Sequence, residues 1–239
     1  MLNIFKVELI KLKKTFIPLL MIITPLIVPM IISKNNISSS NFIATCLTIN
    51  VLILFPLIIN IVCSYIYSRE FLDKNENIYF SYPLSPLKLI LSKFFVLFIL
   101  SLLMYSITIF ATLFMSKLSF QDFNLQLLLN ENLSIFFKSF LLNMFICPIT
   151  ILLSIKSKNI FIPFGYSILL VLSNITIFTI FPIDKIKYCL LNLPAFDYFN
   201  LKFMESTLPF LEPQYTLIMF CIFLLLIYLL TIVYKKLDL

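Results

Sequence analysis

Residues 68–93, SREFLDKNENIYFSYPLSPLKLILSK, form a charged interval between two long apolar runs. Seven residues of this stretch are charged, although only 12% of the 239-residue chain is. Uncharged runs flank it at 35–68 and 94–116. A helix needs roughly 20 apolar residues to cross the hydrocarbon layer of a bilayer. The interval is therefore predicted to be a loop outside the membrane that joins two spanning helices.

The rest of the chain repeats this alternation of apolar runs and charged intervals. Apolar residues make up 61% of it, against roughly 45–50% in soluble domains. The runs are apolar on every face, whereas a transmembrane barrel would show short alternating segments. We predict an all-α membrane protein, a single transmembrane domain over residues 1–239, with six transmembrane helices at about 16–32, 42–66, 94–116, 137–155, 160–182 and 214–234.

The distribution of lysine and arginine predicts the orientation. Six spans place both termini on one side, together with the 67–93 loop and the short loop at Lys156 and Lys158. That side carries twelve cations against six on the other. Because cytoplasmic loops are enriched in Lys and Arg, both termini are predicted to be cytoplasmic. The net charge of +7 then faces anionic lipid, so nucleic acid is not needed as a partner to explain it.

An amphipathic helix is predicted before the first span. Leu2, Phe5, Leu9 and Leu12 fall on one helical face, with lysines on the opposite one. Such a helix lies in the membrane interface with its cations towards lipid phosphates. Within it, Glu8 lies three residues before Lys11, which indicates either a local ion pair or a contact to a partner.

Missing residue types exclude several kinds of site. The chain has one glycine, Gly165, and no histidine. It therefore lacks a P-loop, a dinucleotide fingerprint and a GxxxG packing face, and most zinc sites. We expect no cofactor on this chain, and we interpret its five cysteines as small apolar packing groups. Abundant Lys, Asn, Ile and Phe are typical of an AT-rich genome.

Four asparagines are the strongest polar groups at membrane depth. Their expected role is hydrogen bonding between helices, and a weaker hypothesis places them along a substrate path. Prolines predict irregular helices in three spans. The asparagines are Asn50, Asn60, Asn143 and Asn174, and the prolines are Pro18, Pro25, Pro29, Pro56 and Pro148.

The segment 183–213, between the last two spans, is too apolar for a solvated outer loop. It is predicted either to lie on the outer interface or to dip in as a re-entrant pair with Pro194 near the bend. Both arrangements fit a lid over an outward cavity.

The opening stretch is longer than a simple connection requires. Its first half mixes signs at Arg69, Glu70, Asp73, Lys74 and Glu76. Its second half is apolar and aromatic, with a helix start at Ser85-Pro86. This pattern favours a surface that docks another protein, and a solvated connector is the alternative.

The chain resembles the membrane subunit of ABC-2 type exporters, most closely the small permeases of lantibiotic and antimicrobial-peptide immunity or export. The resemblance rests on FKVELIKLKKT at 5–15, on REFLDKNENIYFSYPLSPLKLILSK at 69–93, on six spans and on the long outer segment. The single glycine departs from commoner members of that family.

The resemblance implies that the loop after the second span carries a coupling helix touching a separate cytoplasmic ATPase, which binds ATP and Mg²⁺. Candidate ATPase contacts are Arg69, Glu70, Asp73, Glu76 and, more weakly, Glu8. A second permease chain, identical or a sister subunit, completes the transport path. An amphipathic peptide would be expelled across the cell membrane, by implication a bacterial plasma membrane.

The residues also bear on two other classes of function. A membrane enzyme needs paired acids, a histidine or a nucleophile with its base at membrane depth, and the spans carry no such set. A non-transporting assembly or sensor subunit stays open as an alternative.

Overall fold

The computed structural model describes residues 2–32, 39–72, 86–120, 125–180, 189–194 and 213–237. Every regular element within these ranges is helical. A π-helical segment, Asn50–Leu54, joins α3 to α4, and a 3₁₀ turn covers Leu190–Asn192. The α-helices within the described ranges are α1 Leu2–Lys13, α2 Ile17–Ile32, α3 Ser39–Ile49, α4 Phe55–Leu72, α5 Pro86–Ser119, α6 Leu125–Ser157, α7 Phe161–Ile180 and α8 Pro213–Leu237.

Local sequence signals account for several helix ends. α5 begins at Pro86 and α8 at Pro213, since proline suits the first turn of a helix, where an N–H would lack a partner. The Asn159 side-chain oxygen accepts the Phe161 N–H at 3.2 Å and caps the start of α7. α4 and α5 both extend beyond the predicted spans, so the described helices reach the 73–85 interval from either side.

The structure supports a membrane protein but gives fewer unambiguous spans than the sequence predicts. Among the residues that the structure describes, four helical stretches are long and apolar enough to cross a bilayer: Asn41–Leu72, Leu87–Ser119, Phe136–Ser157 and Pro213–Lys235. The pair Phe5–Lys13 and Ile17–Ile32, bent by 68°, makes a fifth if taken as one broken span. α2 alone has 16 residues, or about 24 Å of helix, which is short for a membrane crossing. The count of six stays a prediction.

α4 occupies the centre of the bundle. It packs against α6, α7 and α5, while α2 and α1 lie along α5, and α8 lies on the periphery against α6 and α5. Phe55, Ile59, Val62 and Tyr67 of α4 are almost completely buried. The Phe42 and Phe120 rings, 5.5 Å apart, join the start of α3 to the end of α5. The start of α3 and the end of α5, which the predicted topology places on the outer side of the membrane, are therefore in contact.

The prolines act unequally on the helices. α2 is continuous through Pro25 and Pro29, and α6 through Pro148. The change of direction in the first predicted span lies before α2, at the 68° bend after α1. Pro56 follows the π-helical segment directly. Among these prolines, Pro56 accompanies a change of helix type.

Serine, threonine and cysteine provide the close helix contacts that glycine provides in other membrane proteins. A Cβ added at Gly165 would meet no atom within 4 Å, so the single glycine makes no packing contact there. Small side chains that are completely buried line the helix contacts instead, and their hydroxyls donate to carbonyls of their own helix. Examples are Ser68, Ser101, Thr108, Thr150 and Ser154.

Candidate functional site

A buried ion pair ties the end of α4 to the first turns of α5. The Nζ of Lys93 lies 2.7 Å from Oε1 of Glu70. The Lys93 side chain is completely buried, and 10% of the Glu70 side chain is exposed. Lysine is almost never fully buried without a partner. The pair therefore holds together the two helix ends from which the 73–85 interval departs.

Tyr67 reinforces the same junction. Its hydroxyl donates to the Ile90 carbonyl at 2.9 Å, and the Nζ of Lys93 lies 5.3 Å from its ring centre. A cation over an aromatic face is attracted by the ring quadrupole. Glu70 and Tyr67 lie one turn apart on α4, so both contact the same side of α5. Three interactions of different kinds thus fix α4 against α5.

Arg69 connects this junction to the N-terminal helix. Its Nη1 donates to the Lys11 carbonyl at 3.2 Å, and its guanidinium lies 6.0 Å from the Tyr65 ring centre. The last four carbonyls of a helix have no partner within it. Lys11 lies in the last turn of α1, so the guanidinium satisfies a carbonyl at the end of that helix.

Glu8 lies inside the same region. It is 5% exposed, and its Oε1 accepts from the Lys11 Nζ at 3.0 Å. The predicted i,i+3 ion pair is confirmed, and a direct partner contact through Glu8 stays a prediction. Phe5 and Leu9 pack against the core and Leu12 is buried, as predicted for the apolar face. On the face predicted to be polar, Lys14 is exposed, whereas Lys11 is half-buried beside Glu8.

The turn between α6 and α7 completes the group. Lys158 has φ 51°, in the left-handed region of backbone conformation that residues other than glycine rarely adopt. Its Nζ lies 5.4 Å from the ring centre of Phe71 in the last turn of α4. The Ser157 hydroxyl donates to the Asn159 carbonyl at 3.1 Å within the same turn. The strained backbone therefore places a cation against the end of α4.

We call these residues the loop-end cluster. It joins four segments that the charge count predicted to share the cytoplasmic side: α1, the end of α4, the start of α5 and the α6–α7 turn. The predicted Arg69, Glu70 and Glu8 belong to it, whereas Asp73 and Glu76 lie outside the described residues. Its members are Glu8, Lys11, Tyr67, Arg69, Glu70, Lys93 and Lys158.

Three of its members were not singled out by the sequence. Lys93 and Lys158 were counted only among the cations of the predicted cytoplasmic side, and Tyr67 was not considered. A lysine followed at once by a long apolar run signals that it needs a partner. The nearest acids before it are in the opening stretch, but the sequence alone does not choose among Glu70, Asp73 and Glu76. Helix packing makes that choice.

Two of the four membrane asparagines form the predicted bonds to other elements. The Asn143 amide on α6 donates to the Tyr105 hydroxyl on α5 at 2.9 Å. The Asn174 amide on α7 donates to the Leu52 carbonyl in the π-helical segment at 3.0 Å. Both side chains are nearly inaccessible. These bonds confirm the expected role in packing, and a substrate path stays a hypothesis.

Asn50 and Asn60 differ from that expectation, because their amides donate within their own helix, to Cys46 and Pro56 carbonyls at 2.9 and 2.6 Å. Both residues are buried. The bonds run four residues back along the chain, so these asparagines satisfy local carbonyls on either side of the π-helical segment.

The interactions of the described cluster are structural. It consists of ion pairs, capped carbonyls and cation–aromatic contacts, all of which fix helix ends. Among the described residues, no three His, Cys, Asp or Glu side chains are grouped to hold a metal ion. The arrangement can transmit a displacement of the 73–85 interval to α1, α4, α5 and the α6–α7 turn together.

Comparison with known protein families gives a match over most of the chain. A family model described as ABC-2 family transporter protein matches residues 4–174. No curated protein shows significant similarity to the chain. The matched region covers more than two thirds of the chain, and it includes the whole loop-end cluster and Asn174.

Proposed function

The chain belongs to the ABC-2 family of transporter proteins, and from this premise we propose that it is the permease subunit of an exporter driven by a separate cytoplasmic ATPase. Family membership makes it a membrane permease of an ABC transporter. The proposed partner binds and hydrolyses ATP with Mg²⁺, while this chain supplies the gate. A second permease chain, identical or a sister subunit, encloses the path with it.

The observation that supports the mechanism is the loop-end cluster. A docking loop transmits force only if the helices at its two ends cannot slide past each other. Glu70 and Lys93 prevent such sliding at a separation of 2.7 Å, and Arg69 adds α1 to the same body. We propose that a partner pushing on residues 73–85 moves these helices as one unit.

The structure sharpens the roles proposed for the charged residues. Glu70 and Glu8 are buried and bonded inside the chain, so we assign them to positioning of the docking surface. Direct contact with the ATPase is assigned to Asp73 and Glu76. Arg69 bonds to α1 inside the chain, which suits positioning. Because it also lies near the end of α4, next to the 73–85 interval, we assign it a share in both positioning and ATPase contact.

Substrate and direction are proposals that follow the family resemblance. We propose that an amphipathic, membrane-active peptide enters from the bilayer and leaves outward, as in lantibiotic or antimicrobial-peptide immunity. The proposed location is the bacterial plasma membrane. Asn143 and Asn174 supply uncharged amides within largely apolar helices, which suits a path for an amphipathic molecule better than one for a small ion.

Co-purification tests the lever. The chain is expressed with an ABC ATPase subunit drawn from the genes that neighbour its own, and the ATPase recovered per permease is measured. The variant Asp73→Lys/Glu76→Lys is expected to lose the ATPase. Lys117→Glu is the matched control, because Lys117 is exposed at the far end of α5. Equal recovery with both variants would refute docking through the 73–85 interval.

Reconstitution tests transport itself. In vesicles containing the complex, an amphipathic cationic peptide is expected to raise ATP hydrolysis and to appear on the opposite side of the membrane. A complex that assembles but shows neither effect would overturn the substrate class and favour the non-transporting alternative.

A further inference from the structure

The π-helical segment Asn50–Leu54 marks a break in the central helix of the bundle. In this segment the backbone N–H of Phe55 bonds to the Asn50 carbonyl, five residues back. Such π-bulges are rare in proteins, and those that occur are often found at functional sites. Pro56, which follows at once, has no N–H and would clash with the carbonyl four residues before it. That carbonyl belongs to Leu52.

The Leu52 carbonyl receives a hydrogen bond from another helix. In a regular α-helix its donor would be residue 56, which is proline. The Asn174 amide of α7 donates to it instead, at 3.0 Å. Asn174 is 2% exposed. The contact therefore stabilises the broken geometry, since a buried carbonyl without a partner is costly.

A third element reaches this contact from the outer segment. The Asn192 amide, in the 3₁₀ turn, donates to Asn174 Oδ1 at 2.6 Å and to the Ser173 hydroxyl at 3.1 Å. Asn192 and Leu193 are 3% and 1% exposed. Residues 192–194 are buried against the bundle, so this part of the 183–213 segment is docked into it.

We propose that Asn192 is a positioning residue that couples the outer segment to the break in the central helix. Asn174 has one amide, whose oxygen accepts from Asn192 and whose nitrogen donates to Leu52. Rotation of that amide breaks both bonds, so undocking of the turn at 190–192 weakens the support of the π-helical segment. The reverse also holds, because coupling between two sites is reciprocal.

The coupling extends towards the loop-end cluster through α4. This helix runs without interruption from Phe55, next to the break, to Leu72, next to the predicted docking loop. Its 18 residues span about 27 Å. We infer that a push on the loop end reaches the π-helical segment and releases the turn at 190–192. This last step rests on the proposed function, whereas the docking of Asn192 does not.

Two native cysteines report on the two ends of this contact. Cys189 precedes the 3₁₀ turn and is partly exposed, whereas Cys46, one turn before the π-helical segment, is completely buried. The full chain in native membranes is labelled with N-ethylmaleimide, and the rate at each cysteine is read by peptide mass spectrometry. Cys189 reports undocking of the turn, and Cys46 reports loosening of the break.

Asn192→Leu keeps the approximate shape of the side chain but removes both donated bonds. We expect labelling of Cys189 to rise about ninefold, since two bonds are lost and each bond between helices in a membrane contributes roughly a factor of three. Labelling of Cys46 is expected to rise about threefold. Asn174→Leu is expected to raise labelling at both cysteines. At Cys46, the double variant Asn174→Leu/Asn192→Leu is expected to be labelled no faster than either single variant.

Ser173→Ala is the matched control. It removes one acceptor of Asn192 and leaves the bond from Asn192 to Asn174 intact. We expect it to raise labelling of Cys189 about threefold and to leave Cys46 unchanged. Coupling is refuted if Asn192→Leu leaves Cys46 at the wild-type rate, or if Ser173→Ala raises Cys46 labelling as much as Asn192→Leu does.

A second measurement separates this inference from the proposed function. The complex with the ATPase is trapped with ATP and vanadate, and Cys189 is labelled again. Faster labelling on trapping, absent in Asp73→Lys/Glu76→Lys, supports release of the outer segment by the lever. Unchanged labelling on trapping, with the single-chain results as expected, refutes the release step and leaves the docking of Asn192 established.

Discussion

Neutralising one member of the Glu70–Lys93 pair is expected to damage the protein more than removing both. At 2.7 Å and an effective dielectric constant of about 20, the attraction between the two charges is about 6 kcal/mol. Burial costs each ion several kcal/mol, so the net contribution of the intact pair is small. Lys93→Met leaves the Glu70 carboxylate buried without its cation, which costs roughly 3–5 kcal/mol. Glu70→Gln/Lys93→Met removes both charges and should recover most of that loss.

The assay measures monodisperse protein in mild detergent after heating, together with the ATPase recovered from the co-expressed complex. Lys93→Met should lower both, and the double variant should restore thermal stability. Lys88→Met is the control, because Lys88 is exposed on the same helix. Wild-type stability in Lys93→Met would contradict the buried pair. Equal damage in the single and double variants would show that shape, rather than charge balance, sets the loss.

Three further changes test the packing around the central helix. Arg69→Lys should weaken the docking of α1, because an ammonium does not match the guanidinium bond to the Lys11 carbonyl; faster proteolysis within α1 would report a loss of about 1 kcal/mol. Lys158→Gly should change thermal stability little, since relief of the left-handed backbone, about 1–2 kcal/mol, offsets the lost contact to Phe71. Lys158→Ala keeps the strain and should be less stable than Lys158→Gly, so the opposite order would contradict this account. Pro56→Ala supplies a backbone N–H that competes with Asn174 for the Leu52 carbonyl. We expect the weakened Asn174 bond to raise the rate of Cys189 labelling. An unchanged rate would show that proline is not what leaves that carbonyl available to Asn174.

Features that depend on residues near each other in the chain were predictable. Apolar runs separated by charged intervals predicted an all-helical membrane protein, and the described elements agree. The amphipathic pattern before residue 14 predicted a separate first helix, and Glu8 with Lys11 predicted an ion pair that is present at 3.0 Å. The dipeptide Ser85-Pro86 predicted a helix start, and the helix does begin at Pro86. Spacing along a helix decides each of these.

Features that join distant residues were not predictable in the same way. Glu70 with Lys93, Arg69 with the Lys11 carbonyl and Asn192 with Asn174 each depend on how separate helices lie against one another. The sequence placed Asn174 correctly as a packing group and marked Pro56 as an irregular position, but it did not connect the two. It also gave no reason to select Asn192 from the polar residues of the outer segment.

The sequence by itself determined that the described part of the chain is helical, that the chain is a membrane protein and that a charged interval separates two apolar helices, because hydropathy and charge act over one or two turns. Only the tertiary structure decided which charges are buried as pairs and which carbonyls accept hydrogen bonds from the side chains of other helices. The reason is physical. In apolar surroundings each buried charge or open carbonyl must find a partner, and the position of that partner is set by the packing of whole helices.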